Sequence, residues 1–391
     1  MDVIHRRAAS GGLFLTVLPL VCIGIVMVYS ASAVAAQSQF RDSAWFLKRH
    51  VIYALIGLLA MSVAWRIHYV RLRGLTLPLL GVALVALVLT LSPHIGREAG
   101  GARRWLSLGV LNFQPAELAK LAMVLYLANF LANRGGRTRE FTAGLVPPLL
   151  VLGVLALPIL KQPDLGSVLI LATVTFVMLF VGGARLSHLL VVAAAAVPAA
   201  AVVIFHSGYR IQRLLAFLDP WRDPRGSGFH VIQSLLALGS GGVLGVGLGQ
   251  SRQKFFFLPE RHTDFVFAII GEELGLLGTT AVIVLFLLLA LWGYRIASRC
   301  PDRYGALLTT GLTTTLVGQA VLNIGVVSGA LPVTGVPLPF ISFGGSSLVL
   351  SSIAIGILLN ISQYAHAEDR IVPQRPAPPA APRRHAAWMR G

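Results

Sequence analysis

Six ionisable side chains crowd the stretch "LPERHTDFVFAIIGEELG", residues 258–275: Glu260, Arg261, His262, Asp264, Glu272 and Glu273. Asp264 stands where this polar segment meets an apolar run, and a carboxylate there can take a proton from a hydroxyl nucleophile within hydrogen-bond reach. The competing reading is a helix cap, because Thr263 and Asp264 open that run and a carboxylate suits the positive end of a helix. Glu272 and Glu273 follow about two turns deeper by helical rise. Adjacent acids in an apolar helix need partners or a polar cavity, and Lys120 or loop arginines are the candidate partners. In "FQPAELAKL", Pro115 favours a helix start, and Glu117 and Lys120 then fall three residues apart on one face. That spacing predicts either a self-neutralising ion pair or the wall of an intramembrane polar cavity.

Basic and polar residues suited to a polyanionic headgroup such as a phosphate or pyrophosphate, or to general attraction to anionic lipids, are spread through the other polar segments. Arg103, Arg104 and Trp105 combine guanidiniums with an interfacial indole. "LKQPDLGSVLI" places Lys161 and Asp164 at a Pro-broken junction. The longest polar segment supplies Arg210 and Arg213, then Gln233 and Ser234, then a glycine run that leads into Ser251 and Lys254. Such glycines permit close backbone approach, although their spacing does not follow a dinucleotide fingerprint. His262, and Ser346 and Ser347 of "PLPFISFGGSSL", complete the substrate-binding candidates.

The elements that must hold these residues are membrane helices. The 391 residues are 56% hydrophobic and 12% charged, with a mean hydropathy of +0.78. This composition excludes an ordinary soluble domain. About ten runs reach the roughly 20 apolar residues of a spanning helix, centred near Val21, Leu58, Leu84, Leu125, Val151, Thr173, Ala195, Leu285, Leu316 and Ile355. They are continuous rather than alternating, so the expected fold is an all-α polytopic membrane protein of about ten helices. A long loop, about residues 206–264, separates the seventh and eighth.

The net charge of +17 does not mark a nucleic-acid binder, because the basic residues are distributed over many inter-helix loops. Arg6, Arg7, Arg66, Arg71, Arg73, Arg134, Arg137, Arg139, Arg295, Arg299 and Arg303 assign one side as cytoplasmic. Both termini and the tail 367–391, basic and rich in Pro and Ala, then lie inside. Residues 1–366 form the helical domain, and the long loop lies outside. Cys22 and Cys300 suggest neither a disulfide framework nor a metal site.

Taken together, "MVYSAS", "GARRWLSLG", "FQPAELAKL", "KQPDLGS", "LPERHTDFVFAIIGEELG" and "PLPFISFGGSSL" resemble the SEDS family (shape, elongation, division and sporulation) over nearly the whole chain. The resemblance implies a peptidoglycan glycosyltransferase that polymerises lipid II on the outer face of the bacterial cytoplasmic membrane. In the family pattern the Asp of "HTDF" is the residue tied to catalysis, which maps onto Asp264 as general base of an inverting transfer. Basic loop residues, among them Arg210, Arg213, Lys254 and Lys161, are implied to stabilise the departing undecaprenyl pyrophosphate.

The resemblance requires no cofactor and leaves room for a divalent cation, Mg2+ or Mn2+. It implies a class B penicillin-binding protein transpeptidase and other divisome membrane proteins as partners. "PLPFISFGGSS" is more like the division branch, which places the protein at the septum, while "LPERHTD" is at home in the elongation branch. Two other classes compete. A flippase for the lipid-linked precursor would use Glu117, Lys120, Glu272 and Glu273, and a scaffold would tolerate loss of Asp264.

Overall fold

The computed structural model describes residues 2–99, 102–108, 111–253 and 263–364. Lys254, His262 and the tail 367–391 lie outside the described residues. Twelve α-helices follow in chain order: α1 (Asp2–Phe40), α2 (Trp45–Arg66), α3 (Leu72–Leu89), α4 (Pro115–Arg134), α5 (Val146–Lys161), α6 (Leu165–Val181), α7 (Leu186–Phe205), α8 (Gly208–Leu218), α9 (Phe229–Ser240), α10 (Val266–Arg299), α11 (Arg303–Val327) and α12 (Gly345–Tyr364). Among the described residues nine of them are long and apolar enough to cross a membrane. The run expected around Thr173 is α6, whose 17 residues sit at the short limit of a span. Helices α8 and α9 belong to the long loop between α7 and α10.

Between α3 and α4 the chain adds a small sheet that the hydropathy pattern did not announce. β1 (Gly96–Ala99), β2 (Ala102–Leu108) and β3 (Leu111–Phe113) pair in that order, antiparallel throughout. The register places Arg97 opposite Trp105 and Leu106 opposite Phe113, with a shift between Arg97 and Glu98. The sheet turns residues 102–108 back over the end of the bundle, so that Arg104 and Trp105 face its loops.

The centre of the bundle is α12, enclosed along most of its length, with α4 and α11 beside it. Lipid offers no hydrophobic drive between apolar helices, so close packing must come from small residues. α12 and α2 meet in this way. A Cβ on Gly356 would lie 2.4 Å from the Met61 carbonyl oxygen, and one on Gly345 2.3 Å from the Tyr53 ring. Helix α7 is the opposite case: Leu189 is its one buried side chain.

α10 is broken at Gly275, which has φ 66° and ψ −160°. The glycine run expected to permit close approach fills the break. Val246 and Gly247 donate backbone N–H groups to the carbonyls of Glu272 and Glu273, and Leu276 and Leu277 donate to Gly242 and Val243. Every backbone group freed by the kink named here has a partner, as a membrane interior requires. The φ of Gly275 and its 2.3 Å Cβ approach to Gly245 N leave no room for a side chain.

Candidate active site

The loops at one end of the bundle enclose a cavity of about 300 Å3 with Asp264 in its wall. Arg104, Trp105, Gln114, Tyr209, Arg213, Thr263, Gly335, Pro337, Phe343, Gly344 and Ser347 line the rest. Of the substrate-binding candidates, Arg104, Trp105, Arg213 and Ser347 come together here with Asp264. Asp264 does not occupy the N-cap position of α10, which falls to Phe265. The carboxylate stands immediately before that residue.

Asp264 is held by a residue that sequence reasoning missed. Asn323, buried on α11, donates from Nδ2 to the backbone oxygens of Asp264 at 2.7 Å and Val336 at 2.8 Å. One side chain thus ties the start of α10 to the loop before α12. A buried Asn in an apolar helix is itself the signal that could have found it. Gly335 completes the neighbourhood: a methyl group there would lie 3.3 Å from Asp264 Oδ2 and 3.8 Å from Arg104 Nη1. Acid and guanidinium therefore flank one point above a residue that has no side chain.

Both arginines of the cavity are anchored before any substrate arrives. Arg104 donates from Nε to the Gln162 oxygen at 2.9 Å and from Nη2 to the Pro163 oxygen at 2.5 Å. Arg213 donates to the Val333 oxygen at 3.0 Å and lies over the Tyr209 ring, 4.4 Å from its centroid. Desolvation pushes the Arg213 guanidinium below its usual value. Tyr209 pulls it up, Arg104 pushes it down, and Asp264 and Asp164 pull it up. A partly desolvated guanidinium is suited to an anionic guest that lies away from these carboxylates.

Other candidates have structural duties. Asp164 caps α6, accepting from Ser167 N at 3.0 Å and Ser167 Oγ at 2.8 Å, and Gln114 approaches it at 3.4 Å. Arg210 spends its guanidinium on the end carbonyls of α7 and α5, Val203 and Leu160, both at 2.8 Å. Such carbonyls have no partner within their own helices. Arg103 is exposed and meets Glu98 at 3.3 Å. Lys161 is exposed at the end of α5 and does not line the cavity.

Gln233 is half-buried on α9, away from the cavity wall. Ser234 is fully buried and donates to the Val327 oxygen at 2.7 Å, which packs α9 on α11. Ser346 donates to the Asn112 oxygen at 3.1 Å and accepts from Gln114 N at 3.0 Å, fastening the segment after β3 to α12.

The four intramembrane charges divide into two groups. Lys120 donates to Glu117 at 2.7 Å, both almost fully buried. They line a chamber of about 20 Å3 with Gln319, which approaches Glu117 at 3.5 Å. Glu272 and Glu273 do not line that chamber, and Lys120 is committed to Glu117. Glu272 accepts from Ser251 Oγ and from Arg252 N at 2.8 Å, and Glu273 from both Ser30 Oγ, at 2.6–2.7 Å, and Ser251 N, at 3.3 Å. Ser251 therefore clasps the glycine-rich loop to α10. Among the described residues no group of three or more His, Cys, Asp or Glu is gathered as metal ligands would be.

This arrangement has relatives. The family model for the FtsW, RodA and SpoVE cell cycle proteins matches residues 12–367. A probable peptidoglycan glycosyltransferase FtsW from Geobacter metallireducens is 45% identical over 350 residues, 90% of this chain and 93% of its own. The stage V sporulation protein E of Bacillus subtilis is 44% identical over 353 residues, 90% and 96%. A chain from a peptidoglycan synthase complex that coordinates polymerization and crosslinking superposes with a TM-score of 0.75 at 35% identity, covering 91% of this chain and 98% of that one. The Thermus thermophilus rod shape determining protein RodA gives 0.66 at 32%, covering 90% and 96%. Spans, broken α10 and the Asp264 cavity thus sit in a chain that belongs to the FtsW, RodA and SpoVE family of cell cycle proteins, the SEDS family.

Proposed function

We propose that this chain is a peptidoglycan glycosyltransferase of cell division that polymerises lipid II, with Asp264 as its general base. The observation that carries the reading is a carboxylate in the wall of a cavity that also holds two anchored guanidiniums. Asp264 takes the proton from the 4-hydroxyl of the acceptor GlcNAc as its oxygen attacks the anomeric carbon of the donor MurNAc. The bond from that carbon to the diphosphate breaks, and undecaprenyl pyrophosphate leaves with the electron pair. Arg104 and Arg213 stabilise the charge that develops on it, and because their backbone anchors already fix them, little reorganisation is needed.

A divalent cation would be held there by the substrate's own phosphate oxygens, because Asp264, the carboxylate in the cavity wall, is taken up as the base. It would add positive charge beside the leaving group. The closed Glu117–Lys120 pair supports the enzyme reading over a flippase, since charges already spent on each other are poor handles for a moving headgroup.

The basic loops at the end away from Asp264 favour placing that end, with both termini, in the cytoplasm, so that the cavity opens on the outer face of the cytoplasmic membrane at the septum. The likeness to a synthase-complex chain supports a crosslinking partner of the penicillin-binding protein class, alongside other divisome membrane proteins.

The test is polymerisation of purified lipid II by the protein with its transpeptidase partner, wild type beside Asp264→Ala. Glycan strands from the wild type alone are expected. Strands from a folded, partner-bound Asp264→Ala protein would remove Asp264 as the base.

A further inference from the structure

We propose that the N-terminus of α12, together with the Ser347 hydroxyl, is the diphosphate subsite of the Asp264 cavity, the place where the leaving group of a prenyl-diphosphate-linked sugar is held. The inference rests on the glycosyltransferase reading for the identity of its ligand, but not for the existence of the site.

Helix α12 has 20 residues, and its dipole and first-turn amides favour an anion at its start. The residue before the helix, Gly344, has no side chain with which to cap those amides. Ser346, which could reach back to them, uses its hydroxyl on the Asn112 oxygen and Gln114 N instead. A second, independent observation points the same way. Ser347 is 5% exposed and lines the cavity, yet its Oγ has no hydrogen-bond partner. A buried hydroxyl left unpaired is destabilising, and a bound oxyanion beside it would accept its proton.

The same cavity supplies the countercharge. Arg104 and Arg213 line it and are fixed by backbone carbonyls through part of each guanidinium, which leaves other N–H groups of each fork for a guest. Two guanidiniums and a helix start suit a diphosphate better than a carboxylate or an uncharged sugar. Asp264 would repel such an anion at close range, so the sugar must lie between them. That is the order an inverting displacement needs, with base and leaving group held apart by the reacting carbon.

Gly344 gives the proposal a sharp test. A Cβ there meets nothing closer than 3.6 Å, so a side chain fits. Aspartate at this position is a good helix cap; it would occupy the first-turn amides and carry a negative charge. Gly344→Asp should therefore leave the melting temperature unchanged or raise it while expelling the diphosphate. Gly344→Ala adds the same Cβ with no cap and should bind within about threefold of wild type. Ser347→Ala should bind about tenfold more weakly.

The measurement is a titration of the full chain in phosphatidylcholine nanodiscs with farnesyl pyrophosphate, read by tryptophan fluorescence. Thermal melting of each variant is recorded alongside. Loss of binding in a folded Gly344→Asp protein, with Gly344→Ala retaining it, is the expected result. Wild-type affinity in Gly344→Asp, or in Ser347→Ala, would overturn the proposal. So would a wild type that polymerises lipid II but binds no farnesyl pyrophosphate. A parallel series with phosphatidylglycerol added to the nanodisc separates the anion sources. Wild-type binding of farnesyl pyrophosphate that is lost once phosphatidylglycerol is present would assign the site to a phospholipid headgroup and overturn the diphosphate reading. Asp264→Ala keeps the two readings apart: it should abolish polymer and leave farnesyl pyrophosphate bound. A variant that still polymerises while the Gly344 pattern holds would end the base assignment and leave the subsite standing.

Discussion

Two pairs of charged groups lie within the helices of this protein, and they are neutralised by opposite means. Glu117 and Lys120 are three residues apart on one helix and close on each other. Glu272 and Glu273 are adjacent acids satisfied by hydroxyls and by backbone N–H groups that a glycine-rich loop brings in from about twenty residues upstream. The first pair is a closed local unit, whereas the second is a fastening between distant parts of the chain. The second pair also sits in the helix that begins just after Asp264. An intramembrane charge is therefore no guide to a translocation path until its partner is known.

The sharpest way to separate the two is to remove one partner from each. Lys120→Ala leaves Glu117 buried beside a chamber too small for more than about one water, and should cost about 3–5 kcal/mol, read as a fall in the melting temperature in detergent. The double change Glu117→Leu with Lys120→Met should restore most of that loss, and failure to do so would mean that the pair is more than structural. Next in size is Gly275→Ala. A side chain at positive φ, driven against the Gly245 nitrogen, should cost about 1–3 kcal/mol in backbone strain alone. It should also speed hydrogen exchange at Val246 and Gly247, and unchanged exchange there would break the picture of a loop wedged into α10.

Glu272→Gln is expected to cost about 1–3 kcal/mol through lost charge-assisted bonds. Lipid II polymerisation should fall with it although Asp264 is untouched; a stable and fully active variant would reduce the fastening to packing. Ser30→Ala is the smallest, at about 1 kcal/mol, since Glu273 keeps Ser251 N as a donor. A larger effect would mean that α1 is the main anchor of this acid.

The parts of the molecule that were legible in the sequence obey local rules. A run of apolar residues predicts a span, and a three-residue spacing predicts the Glu117–Lys120 contact. Asp264 stood out because a polar segment ended there. What the sequence hid depends on contacts across the bundle. Arg210 looks like any loop cation until α5 and α7 present their terminal carbonyls to it. Ser234 reads as part of a polar face until α11 covers it. Asn323 acquires its role only because α11 ends beside both Asp264 and Val336. The sheet of residues 96–113 was hidden for a different reason: its strands are short and charged, so hydropathy reads them as loop.

The break at Gly275 also changes how the protein meets the thickness of the membrane. An unbroken helix of 34 residues would be about 51 Å long, far beyond a hydrocarbon core of roughly 30 Å, and would have to tilt steeply. Divided at Gly275, the portion that follows is about 36 Å long, close to the hydrocarbon thickness, and its start is fastened through Leu276 and Leu277 to the glycine-rich loop. The short portion that follows Asp264 is clasped to the glycine-rich loop and to α1. The depth of Asp264 is thereby set by these fastenings and not by the full length of a 34-residue span.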